Sequence, residues 1–145
     1  KARYAVRLFD MIHSVDRLSL AREISRQWAK IDERCTILLQ VNISGEETKS
    51  GTTTDGLLQL ARDIAQLSNV RVRGLMTMPP FFDEPERARP YFRELRRLAD
   101  ILDAEKIPGI TMEELSMGMS GDFEVAIEEG ATLVRVGSAI FGERW

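Results

Sequence analysis

The feature that most constrains this chain is a repeated alternation of short apolar runs with amphipathic segments. Residues 36–42 form an apolar run, which is typical of a parallel strand covered on both faces. A stripe at helical spacing that includes Leu57, Leu60 and Ile64 comes after it. Similar pairs recur about every 30–40 residues, the length of a βα unit. The sequence therefore predicts an α/β protein with a parallel sheet.

Five such units are predicted along the 145 residues. The expected strands lie at 11–15, 36–42, 70–78, 115–119 and 132–136. Asp16 is predicted to cap the first helix and Ser120 to cap a short helix over 122–129, because small polar side chains are favoured at N-caps. Pro90 is a good first-turn residue, so the long helix after the third strand should begin near it.

Five units do not close a (β/α)8 TIM barrel, which needs about 200–250 residues. A five-stranded flavodoxin-like sheet would fit the length and is the rival fold. Two features favour the barrel. Residues 1–10 look like the end of a helix with no strand before it, and two small-residue turns follow the last two strands, where barrels bind phosphate. We therefore predict one incomplete barrel domain over 1–145, its last five βα units, with about three N-terminal units missing.

Composition excludes several classes of protein. The net charge of −3 offers no basic footprint for nucleic acid, and no run of about 18 apolar residues exists to cross a membrane. Cys35 is the single cysteine, which rules out an internal disulfide and a thiolate metal site, and is expected to be a buried small hydrophobe. The default expectation is a cytoplasmic protein without a metal.

The two small-residue turns are candidates for a phosphate site. They place Ser120 and Gly121 after one strand, and Gly137 and Ser138 after the next. Backbone N–H groups and hydroxyls at such turns can surround one phosphate. The alternative is that both serines only cap helices, which serine does without a ligand.

Arg135 is the single residue that most strongly indicates a binding site in this sequence. Strand alternation puts Leu133 and Arg135 on one face and Val134 on the other. A guanidinium on the inner face of a barrel costs several kcal/mol unless it is paired. Arg135 is therefore expected to meet either a ligand or a carboxylate from a neighbouring strand.

Five motifs in register then resemble the pyridoxal phosphate homeostasis protein family, also called YggS or PROSC proteins, which is similar to the N-terminal barrel domain of alanine racemase. They cover the chain in order and begin at His13 (HSVD), Gln40 (QVNISGEETKSG), Gly74 (GLMTM), Leu115 (LSMGMSGD) and Arg135 (RVGSAIFG). The resemblance implies a barrel of PLP fold type III that binds pyridoxal 5′-phosphate (PLP).

The resemblance also implies roles for individual residues. Ser120 and Ser138 correspond to phosphate-binding hydroxyls, Gly137 to a close backbone amide, and Arg135 to the arginine that faces the pyridine nitrogen. Three more residues end strands where they can contact the cofactor: Met78, Ser116 and Asn42. For Met78 ordinary core packing is the alternative, and for the other two a structural role is about as plausible.

The family's lysine that forms a Schiff base with PLP ends the first strand, a segment this sequence does not contain. The lysines here are Lys1, Lys30, Lys49 and Lys106, and none ends a predicted strand. Lys49 matches a basic loop position, although an exposed loop lysine is the commoner explanation. His13 is read as a hydrogen-bonded structural histidine rather than a general base.

Three functions compete. The favoured one is a PLP carrier for intracellular PLP homeostasis without catalysis of its own, with PLP-dependent apo-enzymes as recipients. The first alternative is a PLP-dependent, racemase-like enzyme, which needs two opposed proton-transfer groups. Tyr4 and Tyr91 are poor candidates for the second group because they lie on predicted helices, and no second domain that could supply it follows Trp145 in this sequence. A phosphosugar enzyme would need a catalytic carboxylate or lysine at a strand end, and none is found. No catalytic residue is predicted.

Overall fold

A computed structural model describes residues 11–46 and 49–135, so the predicted helix end at 1–10 lies outside the described residues. Strands and helices alternate as expected. The strands are β1 (Met11–Val15), β2 (Cys35–Gln40), β3 (Val70–Met76), β4 (Ile110–Met119) and β5 (Leu133–Arg135). The helices are α1 (Leu18–Ala29), α2 (Leu57–Ile64), α3 (Arg89–Ala104) and α4 (Phe123–Glu128), with a 3-10 turn at Pro85–Ala88.

The strands form one parallel sheet in the order β1-β2-β3-β4-β5. A flavodoxin-like sheet would place its second strand outside its first, so the sequential order excludes the rival fold. The sheet is strongly curled, because His13 Nδ1 on β1 lies 3.3 Å from Ser116 Oγ on β4. In a flat sheet these strands would be about 14 Å apart. The described residues therefore form part of an α/β barrel wall.

The core lies between the outer face of this wall and the helices. All six residues of β2 are buried, and its Ile37 and Leu39 belong to the same apolar cluster as the helical residues Ile24 and Phe92. Leu38 is also fully buried but lies outside that cluster, on the inner face. Apolar contacts on both faces explain why this strand reads as a continuous apolar run.

Gly74 shows how closely β3 and β4 approach. A Cβ atom at this position would lie 1.8 Å from the backbone oxygen of Glu114, the residue paired with it across the two strands. Only glycine fits such a contact with backbone. The register between β3 and β4 shifts just before this pair, which bends the wall.

Both predicted helix caps are wrong. Helix α1 has Arg17 at its N-cap, and the Asp16 carboxylate instead accepts a hydrogen bond from Gly51 N at 3.0 Å, which ties the β1–α1 turn to another loop. Helix α4 has Asp122 at its N-cap, so Ser120 lies two residues earlier, in the turn that ends β4. The predicted helix start near Pro90 is confirmed, since α3 begins at Arg89.

Several strand ends differ from expectation: β2 covers 35–40 rather than 36–42, and β4 begins at Ile110, five residues before its predicted start. Strand β3 stops at Met76, although Thr77 still donates its N–H to Ser116 O at 3.1 Å and its hydroxyl to Val41 O at 2.8 Å. Strand β5 is described from Leu133 to Arg135, and position 136 lies outside the described residues. No helix in the described part is long and apolar enough to cross a membrane, and those residues contain no group of metal-ligating side chains.

Candidate functional site

The candidate site lies where the carboxyl ends of β3 and β4 meet, the edge at which α/β barrels place their sites. A cavity of about 240 Å³ opens between the loop after β3 and the turn after β4. Met78 and Ser120, both predicted to bind the cofactor, line this cavity from opposite sides. The parallel register brings the two strand ends together, as Met76 pairs with Ser116.

A second cavity of about 440 Å³ lies on the other side of the same turn. Ser120, Gly121 and Asp122 line both cavities, so the turn after β4 is a wall between them. The far wall of the second cavity is the 3-10 turn region at 84–86. Movement of the turn would therefore change the width of both spaces.

The turn after β4 is held by short backbone contacts. Asp122 Oδ1 accepts a hydrogen bond from Met119 N at 2.7 Å, which closes the turn. Gly118 has a φ of +101°, and a Cβ there would lie 2.7 Å from Ala126 Cβ of helix α4. The positive φ and this close approach both require glycine. Residues 118–122, the β4 turn, are thus packed directly against α4.

Arg135 lies at the end of β5, in register with Met119. Its Nε and Nη2 atoms are buried and have no acceptor among the described residues. The predicted alternative, an ion pair with a neighbouring carboxylate, is not present in that part of the chain. Burial lowers the pKa of the Arg135 guanidinium, yet arginine stays protonated at neutral pH. Buried donors of this kind call for an acceptor.

Ser116 and His13 contact each other across the inner face of the curled wall, and Ser116 lies inside β4 rather than at the predicted strand end. Ser116 is 1% exposed, and its Oγ lies 3.3 Å from His13 Nδ1. Burial and the positive charge of Arg135 lower the pKa of His13, while Glu114 acts in the opposite direction. His13 is therefore a hydrogen-bonded histidine, as the sequence predicted, and is neutral at neutral pH.

Asn42 organises its own loop. Its Nδ2 donates to Glu46 O at 2.7 Å, and its Oδ1 accepts from Ser44 Oγ at 2.9 Å and from Gly45 N at 3.2 Å. The amide oxygen and one of the two Nδ2 hydrogens are thus used within the loop after β2. Lys49 belongs to the same loop and is half-buried, with its backbone N–H donated to Glu46 O. Contact of either side chain with a ligand stays a prediction.

The structure brings part of the predicted set together. Met78 and Ser120 share a cavity, and Arg135 lies beside Met119 of the same turn, whereas Gly137 and Ser138 lie outside the described residues. The predictions missed Asp122 as the residue that closes the β4 turn. The signal was available, because aspartate commonly accepts hydrogen bonds from nearby backbone in turns. Cys35 is buried as expected, and burial raises the pKa of its thiol to about 12, so it is unreactive.

Comparison with protein families agrees with this architecture. Residues 1–144 match the family model described as alanine racemase, N-terminal domain, and the chain belongs to that family. Among curated proteins, the pyridoxal phosphate homeostasis protein of Aquifex aeolicus is 49% identical over 144 residues, and that of Pseudomonas aeruginosa is 43% identical. These matches cover 99% of this chain but 62% and 60% of the relatives, so the chain spans about three fifths of their length.

Solved structures show the same fold. PipY of Synechococcus elongatus with PLP bound superposes with a TM-score of 0.87 at 36% identity, covering 98% of this chain and 65% of that one. PipY without PLP gives a TM-score of 0.89 at 37% identity, covering 98% and 66%. An alanine racemase of Clostridium difficile shares the fold at 16% identity, with a TM-score of 0.78 over 98% of this chain and 36% of that one. The predicted incomplete α/β barrel is confirmed.

Proposed function

We propose that this chain is part of a protein that binds PLP and serves intracellular PLP homeostasis, by buffering and delivering the cofactor. The observation that carries this proposal is the pair of buried, unpartnered donors on Arg135 at the end of a barrel strand. The names of the curated relatives and the PLP bound to PipY support it. We further propose that residues 1–145 are the last five βα units of a single barrel domain.

The residues present fit the cofactor. In the proposed complex Arg135 donates to the pyridine nitrogen, which is an acceptor when unprotonated. Ser120 and the backbone amides of the β4 turn hold the phosphate, with Gly137 and Ser138 completing the phosphate site from the next turn. Met78 packs against the ring, since a thioether makes favourable contacts with aromatic faces. Ser116, inside β4, and Asn42, two residues after β2, are further proposed contacts.

In the proposed complex Arg135 also determines the protonation of the cofactor's ring nitrogen. Because arginine keeps its proton, it holds the facing ring nitrogen unprotonated and leaves the ring a weak electron sink. When bound, the cofactor supplies an aldehyde that reacts with amines and a ring that can stabilise carbanions. The protein's residues bind and orient it; they do not enhance that second property.

The racemase-like alternative requires a second proton-transfer group opposite the cofactor. Tyr91 does not supply it, because it lies on α3 and its ring packs against Phe82 at 5.7 Å between centroids. Tyr4 lies outside the described residues. We therefore favour the carrier, with PLP-dependent apo-enzymes as partners and the cytoplasm as the compartment. The alternative is tested by incubating the protein with PLP and single L-amino acids; formation of the D-isomer would support an enzyme.

Calorimetric titration tests the binding proposal without interference from lysine adducts. The probes are pyridoxine 5′-phosphate, which lacks the aldehyde, and pyridoxine, which also lacks the phosphate. We expect the phosphorylated probe to bind at least about tenfold more tightly, because the phosphate accepts charge-assisted and backbone hydrogen bonds. Equal affinities would contradict the proposed phosphate site, and no binding of either probe would contradict the proposed function for this chain.

A further inference from the structure

We propose that Arg89, at the start of α3, is a positioning residue for phosphate binding, acting through helix α4 on the β4 turn (residues 118–122). This inference rests on the proposed function, since it concerns the phosphate contacts of that turn. Arg89 lines neither cavity at the β4 turn. Its influence on binding would therefore be transmitted through the elements that it joins.

Arg89 joins three carboxylates from two parts of the molecule. Its guanidinium donates to Glu86 at 2.8 Å, to Glu128 at 2.6 Å and to Glu129 at 2.5 Å. The Arg89 side chain is only 19% exposed and that of Glu129 15%, so this pair is shielded from solvent, whereas Glu86 and Glu128 are exposed. Arg93, one turn further along α3, also donates to Glu129 at 3.1 Å. Partly buried pairs of this geometry are stronger than exposed single ones.

Helix α4 needs these arginines for an electrostatic reason. Glu128 and Glu129 lie at its carboxyl end, where the helix dipole is negative and acidic side chains are unfavourable. The two carboxylates are also adjacent in the chain and repel each other. Arg89 and Arg93 offset part of this negative charge, and Arg89 attaches the end of α4 to α3. The hydrogen bonds to the three carboxylates raise the pKa of Arg89 further, so it is always charged.

The opposite end of α4 carries the β4 turn. The helix is six residues long, about 9 Å, so a shift at one end is passed directly to the other. Ala126 N donates to Asp122 O at 3.1 Å, and Asp122 Oδ1 holds Met119 N at 2.7 Å, which links the first turn of the helix to both sides of Ser120. Ala126 also packs against Gly118.

Arg89 also connects the two walls of the larger cavity. Glu86 lies on one wall with Glu84 and Pro85, and α4 with the β4 turn forms the other. A single guanidinium bonded to Glu86 on one side and to Glu128 and Glu129 on the other therefore sets the separation of the walls. Lysine, a point charge without a planar fork, cannot hold three carboxylates in this way.

The test compares Arg89→Met and Arg89→Lys with a matched control, Arg97→Met. Arg97 is on the same helix and pairs with Glu94, and in the described part of the chain no hydrogen bond or ion pair joins either residue to α4. Each variant of the full chain is titrated with pyridoxine 5′-phosphate and with pyridoxine. We expect Arg89→Met to weaken binding of the phosphorylated probe about fivefold or more and to leave pyridoxine unchanged. Arg89→Lys should be intermediate, and Arg97→Met should match the parent chain.

A double-mutant cycle with Ser120→Ala gives a readout that a purely structural role would not move. If Arg89 acts by placing the β4 turn, Arg89→Met should cost much less affinity once Ser120 is already removed. Additive effects, or equal weakening of both probes, would overturn the inference. If Arg89→Met does not fold by circular dichroism, Arg89→Lys decides the matter by the same two criteria. Failure of the parent chain to bind either probe counts against the proposed function instead.

Discussion

Asn42 and Arg135 end strands on the same edge of the wall, and the structure treats them in opposite ways. The amide of Asn42 makes three hydrogen bonds within the loop after β2. Two guanidinium nitrogens of Arg135 are buried without an acceptor in the described residues. Both residues were predicted to meet the cofactor, Asn42 from its position at a strand end and Arg135 from strand alternation and the family resemblance.

The difference shows how structural and ligand-binding polar groups can be separated. A buried donor without a partner costs about 1–3 kcal/mol, and more when charged, so folding alone does not favour it. A group that makes three hydrogen bonds within its own loop, as Asn42 does, has a structural explanation that needs no ligand. Arg135 therefore carries the stronger claim to a ligand, and the following experiments test that ranking.

Replacing Arg135 should have the largest effect on binding. We expect Arg135→Met, which keeps an unbranched side chain but removes the charge, to weaken the binding of pyridoxine 5′-phosphate by about tenfold or more. The reason is that a hydrogen bond from a charged donor is lost. Stability to urea should stay equal or increase, because a buried cation without a partner is removed. Calorimetry and chemical unfolding measure the two effects. A variant that is less stable but binds as well as the parent would show that Arg135 is structural.

Replacing Asn42 should show the reverse pattern. Asn42→Ala removes all three loop hydrogen bonds and should lower the free energy of unfolding by about 1–2 kcal/mol. Ser44→Ala removes only one of them and is the matched control, with a smaller loss expected. The affinity for pyridoxine 5′-phosphate should fall less than in Arg135→Met. If Asn42→Ala instead left stability unchanged and abolished binding, the contrast would be lost.

The pH dependence of stability tests the electrostatic interaction between Arg135 and His13. The folded pKa of His13 is lowered below the ordinary value of 6.5, so the unfolded chain binds the proton more readily. The contribution of His13 to stability is therefore present above about pH 6.5 and is lost as the pH falls through the folded pKa.

His13→Gln should remove this component of the acid sensitivity. Arg135→Met should reduce it, because the charge of Arg135 is one of the causes of the shift. Unfolding curves measured at several pH values between about 5 and 8 provide the comparison. If the pH dependence of the free energy of unfolding were the same in both variants as in the parent chain, the expected interaction between Arg135 and His13 would be contradicted.

Covalent labelling should have the smallest effect of the four. After incubation with PLP and reduction with borohydride, we expect no lysine of this chain to be modified stoichiometrically, with only minor labelling at Lys49. Lys49 lies in the same loop as Asn42, so peptide mass spectrometry reports directly on that side of the site. Stoichiometric modification of Lys49 would indicate that the ligand binds near the loop after β2, and Asn42 would then be a stronger candidate for a ligand contact than Arg135.

Much of the fold was predictable from local patterns. The apolar run of β2 and the stripe of α2 identified a parallel sheet with covering helices, because alternation and helical spacing depend only on neighbouring residues. The caps at Asp16 and Ser120 were predicted incorrectly for a related reason. Both side chains are of suitable types, but Asp16 bonds Gly51 across a sequence separation of 35 residues, which no local pattern contains.

The candidate site was predictable in part. Small residues after successive strands indicated Ser120, and alternation placed Arg135 on the inner face. The proximity of His13 to Ser116 and the bonds of Arg89 to Glu128 and Glu129 could not be derived. Each depends on how far the sheet curls or how a helix is tilted over it.

The sequence by itself determined the alternation of strands and helices, the identity of the residues at the strand ends and the presence of an inward-facing arginine. Only the tertiary structure decided which of those polar groups are already satisfied and which are not. The physical reason is that periodicity is a property of a short segment, whereas a hydrogen bond between distant residues exists only after the wall has curved and the loops have packed against it.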